Sequence, residues 1–313
     1  ENSIDASASS ISIEIRGGGI EYIRITDNGV GIPSSDLELA FKRSATSKIF
    51  EIRDLDSIST LGFRGEALPS IGAVSRVSLL TRTQDDTNGA SIEVLDGRIS
   101  KKEEQAAPIG TSVTVRHLFH NFPGRLKFLR TVATETKRIQ LLVTRYALAY
   151  PEVKFQLRTE KSLTFESDGS GALDEAINSV YGVQVAESML DLVQLNELQG
   201  VSSMYVSGTI GIPSLTRANR TYISLFVNRR WVQNRMLSYA VEQAYHGFMK
   251  ERRFPVAVVN IKIPYGDVDV NVHPIKAEVR FKRDEEVFAA LQKIVRSTLT
   301  NHTPVPDIKY MPH

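Results

Sequence analysis

Thr26-Asp27-Asn28-Gly29-Val30-Gly31-Ile32 closes an alternating run, Ile20-Glu21-Tyr22-Ile23-Arg24-Ile25-Thr26, and everything after it depends on whether it is a turn or a pocket. Alternation at a period of two marks a half-buried strand, so a strand delivers a carboxylate and then two glycines to one place. A carboxylate held at a strand end accepts hydrogen bonds from an exocyclic amine or a bridging water, and glycines let the backbone approach a flat ring without a Cβ in the way. Asp-Asn-Gly is also an ordinary hairpin signal, and taken alone the stretch favours that plainer reading.

Upstream, Ile11, Ile13 and Ile15 alternate with Ser10, Ser12, Glu14 and Arg16, which marks a second half-buried strand. Gly17-Gly18-Gly19 turns it into the strand that leads to Asp27, giving a hairpin with one apolar face. Glu1 to Ser7 reads as the last turns of a helix that begins upstream, and the chain is expected to be a piece of a longer one. Downstream, Pro33-Ser34-Ser35-Asp36 reads as a helix start followed by Leu37, Leu39, Ala40 and Phe41. A polar, basic stretch, Lys42-Arg43-Ser44-Ala45-Thr46-Ser47-Lys48-Ile49, precedes Leu61-Gly62-Phe63-Arg64-Gly65-Glu66-Ala67-Leu68, which has loop chemistry up to Gly65 and helix chemistry after it. Glycines flanking a basic residue at a helix N-terminus suit an anion, because free backbone N–H groups and the helix dipole both favour phosphate. By itself a glycine-rich loop is weak support.

Strands are expected at Ser75 to Arg82, Ala90 to Leu95 and Thr111 to Leu118, with Asn88-Gly89 and Asp96-Gly97 as turns. After Arg130, the residues Ile139, Leu142, Val143, Tyr146, Ala147 and Tyr150 recur at helical spacing as a core-facing stripe. Ser167-Asp168-Gly169-Ser170-Gly171 is the candidate boundary, followed by a short helix from Ala172 to Tyr181 closed by Gly182. Beyond it, strands are expected near Met204 to Ile212, Tyr222 to Val227, Val256 to Ile263 and Ala277 to Phe281, and helices at Arg235 to Phe248 and Asp284 to Leu299. The tail from Asn301, with Pro304, Pro306 and Pro312, reads as irregular.

A length of 313 residues accommodates two domains, and 42% hydrophobic with 24% charged residues is ordinary for a globular protein. No run reaches the ~18 apolar residues of a membrane span, so a soluble, cytoplasmic protein without a membrane partner is expected. The absence of cysteine removes disulfides and thiolate metal sites. A net charge of +2 says little about partners, so any polyanion surface must be local.

Several pieces now stand together in order: Glu1-Asn2-Ser3-Ile4-Asp5-Ala6, Asp27 to Ile32, Ala45 to Ile49, Gly62 to Leu68, Gly110-Thr111, and Val268-Asp269-Val270-Asn271-Val272-His273-Pro274-Ile275-Lys276. This set resembles the N-terminal ATPase region of the MutL family of DNA mismatch repair proteins, within the wider GHKL group, and covers essentially the whole chain. Phe226-Val227-Asn228-Arg229-Arg230 and the stretch Asn271 to Lys276 resemble bacterial members, for which cytoplasm is the expected compartment; a eukaryotic member would be nuclear. The implied architecture is α+β. A GHKL (Bergerat) ATPase α/β sandwich, with a mostly antiparallel sheet covered by helices on one face, would occupy 1–168. A ribosomal protein S5 domain 2-like domain would follow at 172–300, with the irregular tail at 301–313.

The same resemblance assigns ATP and Mg²⁺ to the chain. Asn2 matches the magnesium ligand, and a side-chain amide oxygen suits an ion that keeps several waters and bridges phosphates; a helix Asn is otherwise simply solvated. Asp27 matches the adenine-reading carboxylate, with Gly29 and Gly31 giving room for the base. Thr111 matches the hydroxyl that supports the pocket, where its bland reading is a strand threonine. Thr46, Ser47, Lys48, Gly62, Phe63, Arg64 and Gly65 match the lid and phosphate loop. Lys276 would reach the γ-phosphate from the second domain, although a lone Lys after Pro is ordinarily a surface charge. His273 has no partner ligands at suitable spacing and reads as structural. The general base of the family would lie upstream of Glu1, so the chain is expected to position phosphate without its own base. Ser44, where relatives commonly have His, and Phe122, Gly124 and Leu126 depart from the family pattern.

Arg229, Arg230 and Arg235 carry over as DNA contacts, with Lys250, Arg252 and Arg253 adding local basic charge. Such contacts would be to the backbone, salt-sensitive and independent of sequence, against the plain alternative of a charged helical face. The implied partners are DNA, a second copy of the region closing on ATP binding, and mismatch-recognition and downstream repair proteins. A nucleotide-independent DNA-binding or scaffold module is the alternative, and another GHKL ATPase, chaperone-like or gyrase-like, is a third.

Overall fold

A computed structural model describes residues 1–42, 61, 65–160, 162–193, 204–269 and 279–302. The chain divides into two units, Glu1–Val180 and Tyr181–His313. In the first, α1 (Asn2–Asp5) leads into the hairpin of β1 (Ser10–Arg16) and β2 (Tyr22–Asp27), then α2 (Ala67–Gly72), β3 (Arg76–Arg82), β4 (Gly89–Leu95), β5 (Arg98–Gln105) and β6 (Gly110–Arg116). The short α3 (Pro123–Leu126), the long α4 (Val132–Ala149), β7 (Lys154–Thr159), β8 (Ser162–Glu166) and α5 (Leu173–Tyr181) follow. The strands form one eight-stranded sheet in the order β5-β4-β3-β6-β2-β1-β7-β8. Only the β1–β7 neighbours are parallel.

Sequence alternation becomes burial directly in β1, where Ile11, Ile13 and Ile15 are buried and the residues between them are half-buried. α4 starts where Thr131 caps it, its hydroxyl accepting from the Thr134 N–H at 3.3 Å. Val143, Ala147 and Tyr150 pack with β1 and β7 in one core cluster. Leu142 does not join them and is 49% exposed, at the edge of the expected stripe rather than its centre.

No α-helix starts at Pro33; over 34–41 the chain makes turns and a short 3-10 segment at Leu39–Phe41. Asp36 accepts from the adjacent Ser35 hydroxyl at 2.9 Å instead of capping a backbone amide. Leu37 and Phe41 still pin the loop into a second core cluster with Val77, Leu79 and Ile92. The strand β5 has no alternation to read, because all of its residues are exposed at the sheet edge.

The second unit holds β9 (Met189–Asp191), β10 (Tyr205–Gly211), β12 (Ile223–Val227), β13 (Arg230–Val232) and β15 (Ala257–Lys262) in a five-stranded sheet ordered β13-β12-β15-β10-β9. Small ladders pair β11 (Thr216–Arg217) with β14 (Phe254–Pro255) and β16 (Val268–Asp269) with β17 (Arg280–Phe281). Between them run α6 (Val183–Ala186), α7 (Arg235–Ala244) and α8 (Asp284–His302). Leu237, Val241, Leu291 and Val295 of the last two helices share one core with Leu225, Val259 and Ile261 of the sheet. Among the described residues no helix is long and apolar enough to cross a membrane.

Candidate functional site

Residues opposed in register share one face of a sheet, and three registered rows make up the helix-covered face across β1, β2, β6, β3 and β4. They are Ile15-Ile23-Val115-Val77-Val94, then Ile13-Ile25-Val113-Leu79-Ile92, then Ile11-Asp27-Thr111-Thr81-Ala90. The second row is closed at its flanks and open at its centre: Ile13 is 7% exposed and Leu79 0%, but Ile25 is 37%. The core clusters explain this. One covers β1 and β7 with α4, the other covers β3 and β4 with α2 and the Leu37–Phe41 loop, and neither takes in Ile25. An apolar floor is left on the middle of the sheet.

The third row bounds that floor with a polar island. Asp27, only 9% exposed, accepts from the Ser3 hydroxyl of α1 at 2.7 Å on one oxygen. Its other oxygen accepts from the Gly29 N–H at 3.0 Å and the Thr111 N–H at 3.3 Å. An ionised carboxylate has about four acceptor sites, so these donors hold it in place and leave about one for a ligand. Beside it, Thr81 accepts from the Ile32 N–H at 2.9 Å, donates to the Gly110 carbonyl at 2.9 Å, and lies 3.0 Å from the Thr111 hydroxyl. Thr81 has one proton; giving it to Gly110 makes Thr111 the donor between the two hydroxyls and leaves Thr111 only lone pairs for a ligand.

Glycine is required at two places in this turn. Gly31 has φ +79°, and a Cβ there would lie 2.2 Å from the Arg82 carbonyl oxygen. At Gly29 a Cβ would meet the Ala6 carbonyl at 2.7 Å, closing the approach between the turn and α1. Asn28 is occupied structurally, accepting from the Ser9 and Ser10 N–H groups at 3.0 and 2.9 Å and donating to the Ser9 hydroxyl at 2.8 Å. The Asp-Asn-Gly stretch is therefore a turn whose carboxylate faces inward.

The described structure thus brings Asp27, Gly29, Gly31 and Thr111 together at one end of the central strands. Asn2 is exposed on α1, next to the Ser3 that bonds Asp27. Gly65, with φ +61°, precedes α2. Thr46, Ser47, Lys48, Gly62, Phe63, Arg64 and Lys276 lie outside the described residues, as do Ser44 and His273. Among the described residues no group of three or more His, Cys, Asp or Glu side chains is placed to hold a metal ion. Ser3, Thr81 and Ile25 were not singled out from sequence. Thr81 alone leaves a signal there, as a polar residue on an otherwise apolar strand face.

In the second unit, Arg229 and Arg230 sit at the tip of the β12–β13 hairpin, where Asn228 and Arg229 have φ of +49° and +65°. Asn228 clamps the tip through reciprocal bonds with Ile263, each 2.9 Å, and the Arg229 N–H donates to the Asn260 side chain at 3.0 Å. Arg235 is exposed at the start of α7, immediately after its cap Asn234, whose side chain accepts from the Leu237 N–H at 3.0 Å.

Residues 1–122 match the family model for histidine kinase-, DNA gyrase B- and HSP90-like ATPases, and residues 177–300 match that for the DNA mismatch repair protein C-terminal domain. The chain is 43% identical to the DNA mismatch repair protein MutL of Desulforamulus reducens over 98% of its own length and 47% of the relative's. It is likewise 43% identical to that of Shouchella clausii over 99% and 46%. The chain spans about half the length of the curated relatives it matches. Among solved structures it is similar to the N-terminal domain of a DNA repair protein, at TM-score 0.80 and 27% identity, covering 96% of this chain and 91% of that one. It is also similar to the Aquifex aeolicus MutL ATPase domain complexed with ADP, at TM-score 0.67 and 25% identity, covering 97% and 94%.

Proposed function

The chain belongs to the MutL family of DNA mismatch repair proteins, and from that premise we propose that it binds ATP at the Asp27 end of its first sheet and uses that binding to control DNA engagement. The observation that carries the reading is the buried Asp27 carboxylate, held by three donors beside an uncovered apolar floor at Ile25. A flat base with an exocyclic amine fits both features, since its ring covers Ile25 and its N–H meets the remaining acceptor site. The similarity to the Aquifex aeolicus MutL ATPase domain complexed with ADP supports nucleotide binding by the chain.

The chain's own residues divide the work by chemistry. Asp27 and Thr111 read the base edge, and Gly29 and Gly31 let the turn lie close to it. Thr46, Ser47, Lys48, Gly62, Phe63, Arg64 and Gly65 supply amides and positive charge for the phosphates, and Lys276 contacts the γ-phosphate. Asn2 fits Mg²⁺ through its amide oxygen, and the ion, when bound, neutralises phosphate charge while keeping several waters. Slow ATP hydrolysis is the family activity proposed for the ATPase region.

Residues 1–168 form the ATP-binding domain in this reading and 172–300 the domain that contacts DNA through Arg229, Arg230 and Arg235. ATP drives two copies to close on DNA as a clamp only if it binds the closed state more tightly than the open one. The closed form then presents new surface to mismatch-recognition and downstream repair proteins.

Equilibrium binding of a non-hydrolysable ATP analogue with Mg²⁺ tests the proposal. Asp27→Asn must set its N–H₂ either toward both Ser3 and the ligand or against the Gly29 and Thr111 N–H groups, so affinity is expected to fall at least about tenfold, as for a charged hydrogen bond of ~1.5–3 kcal/mol. Equal affinity in the variant contradicts the base assignment. DNA binding indifferent to nucleotide, with no thermal stabilisation by the analogue, favours a nucleotide-independent module instead.

A further inference from the structure

The face of the first sheet turned away from the helices carries a charge pattern that nucleotide binding does not use. Register sets Arg16, Tyr22, Arg116, Arg76, Leu95 and Arg98 directly opposite one another across β1, β2, β6, β3, β4 and β5. All four arginines are exposed. Arg116 and Arg76 form a like-charged cross-strand pair, an arrangement that costs stability in isolation.

Among the described residues little compensates for it. Arg16 pairs with Glu14 at 2.8 Å, and the guanidinium groups of Arg16 and Arg116 each lie 5.0 Å from the Tyr22 ring centroid. Arg76 and Arg98 make no ion pair or ring contact among the described residues. The row contains no acid. Glu14 and Glu93 belong to the next row, and Asp96 at the β4–β5 turn is engaged by His120 at 3.0 Å and Asn121 at 2.8 Å.

We infer that this arginine row, carried wholly by the first unit, is a docking strip for the phosphate backbone of nucleic acid. Guanidinium forks match phosphate oxygens bidentately. At ~4.8 Å per strand the row extends about 24 Å, an axial length over which one strand of a duplex carries on the order of seven phosphates at ~3.4 Å each, those on its facing side lying within reach of the row. An acidic protein segment fits less well, because protein partners anchor on apolar and aromatic side chains. Here Tyr22 has an arginine at its ring on two sides and Leu95 is half-buried. Contacts of this kind hold the backbone without reading sequence.

The test is equilibrium binding of a labelled duplex over a salt series by the parent chain, by Arg76→Gln/Arg98→Gln and by Arg235→Gln, with polyglutamate as a competitor. The double variant removes exposed groups without ion pairs among the described residues, so its melting temperature should be unchanged or slightly raised, and ATP-analogue binding should be intact. Its duplex affinity at low salt is expected to fall about tenfold or more, and the log–log salt slope to shrink by about 2, at ~0.9 for each phosphate contact. Parental affinity and slope in the double variant overturn the inference, whatever Arg235→Gln does. So does a parent that binds no duplex at low salt. Polyglutamate bound as tightly as duplex, and lost in the double variant, would assign the strip to an acidic protein instead.

Discussion

Asp27 shows how one side chain is oriented by what surrounds it. The Ser3 hydroxyl and two backbone amides fix both oxygens, so a ligand meets a carboxylate already oriented. Ser3→Ala should leave the fold intact and weaken ATP-analogue binding several-fold, because a freed oxygen must be ordered again on binding; a hydrogen bond of this kind is worth ~1 kcal/mol or more. Gly31→Ala should do the opposite, lowering stability by about 2 kcal/mol or more through the left-handed backbone and the Arg82 carbonyl clash. Chemical denaturation of the two variants separates the effects. Asp27 and the glycines were legible in sequence because a strand and its turn carry them together. Ser3, Thr81 and Ile25 were not, because their importance comes from register between strands and from a helix docking on a distant turn.

Elements with an apolar period or a continuous apolar run are legible in sequence, as β1 and β12 respectively show, whereas β5 and the Pro33 segment are not. β5 is a charged edge with no face to bury. Around Pro33 the apolar residues anchor a loop at two points, Leu37 and Phe41, which mimics the spacing of one helical turn. In the second unit, Tyr245 closes α7 with its ring buried and its hydroxyl donating to the Gly211 carbonyl at 2.5 Å. Burial raises its phenol above the ordinary 10.0, so the folded unit keeps a proton that the unfolded chain releases. That contribution to stability is complete below about pH 10 and declines as pH rises through the unfolded value toward the folded one. Tyr245→Phe should cost about 1–2 kcal/mol near neutral pH by orphaning the carbonyl, and should flatten the alkaline decline. Urea unfolding of parent and variant on both sides of that range checks both effects.

Across the whole chain the order of motifs conveyed more than any one of them: the Asp-Asn-Gly turn is an ordinary turn in its backbone, and its carboxylate is buried and held by three donors. The first sheet differs between its faces, with an apolar floor and polar island on the side that carries the helices and an arginine row on the other. The proposed base site and the proposed backbone strip therefore lie on opposite surfaces of one sheet. The most direct test is a comparison of non-hydrolysable ATP and GTP analogues, each with Mg²⁺, binding to the parent chain. Asp27 offers an acceptor, which pairs with the amine of adenine and opposes the carbonyl of guanine, so the adenine analogue is expected to bind at least about a hundredfold more tightly, as for a buried polar group left unpaired. Equal binding of the two analogues, or of neither, would contradict a pocket built around Asp27.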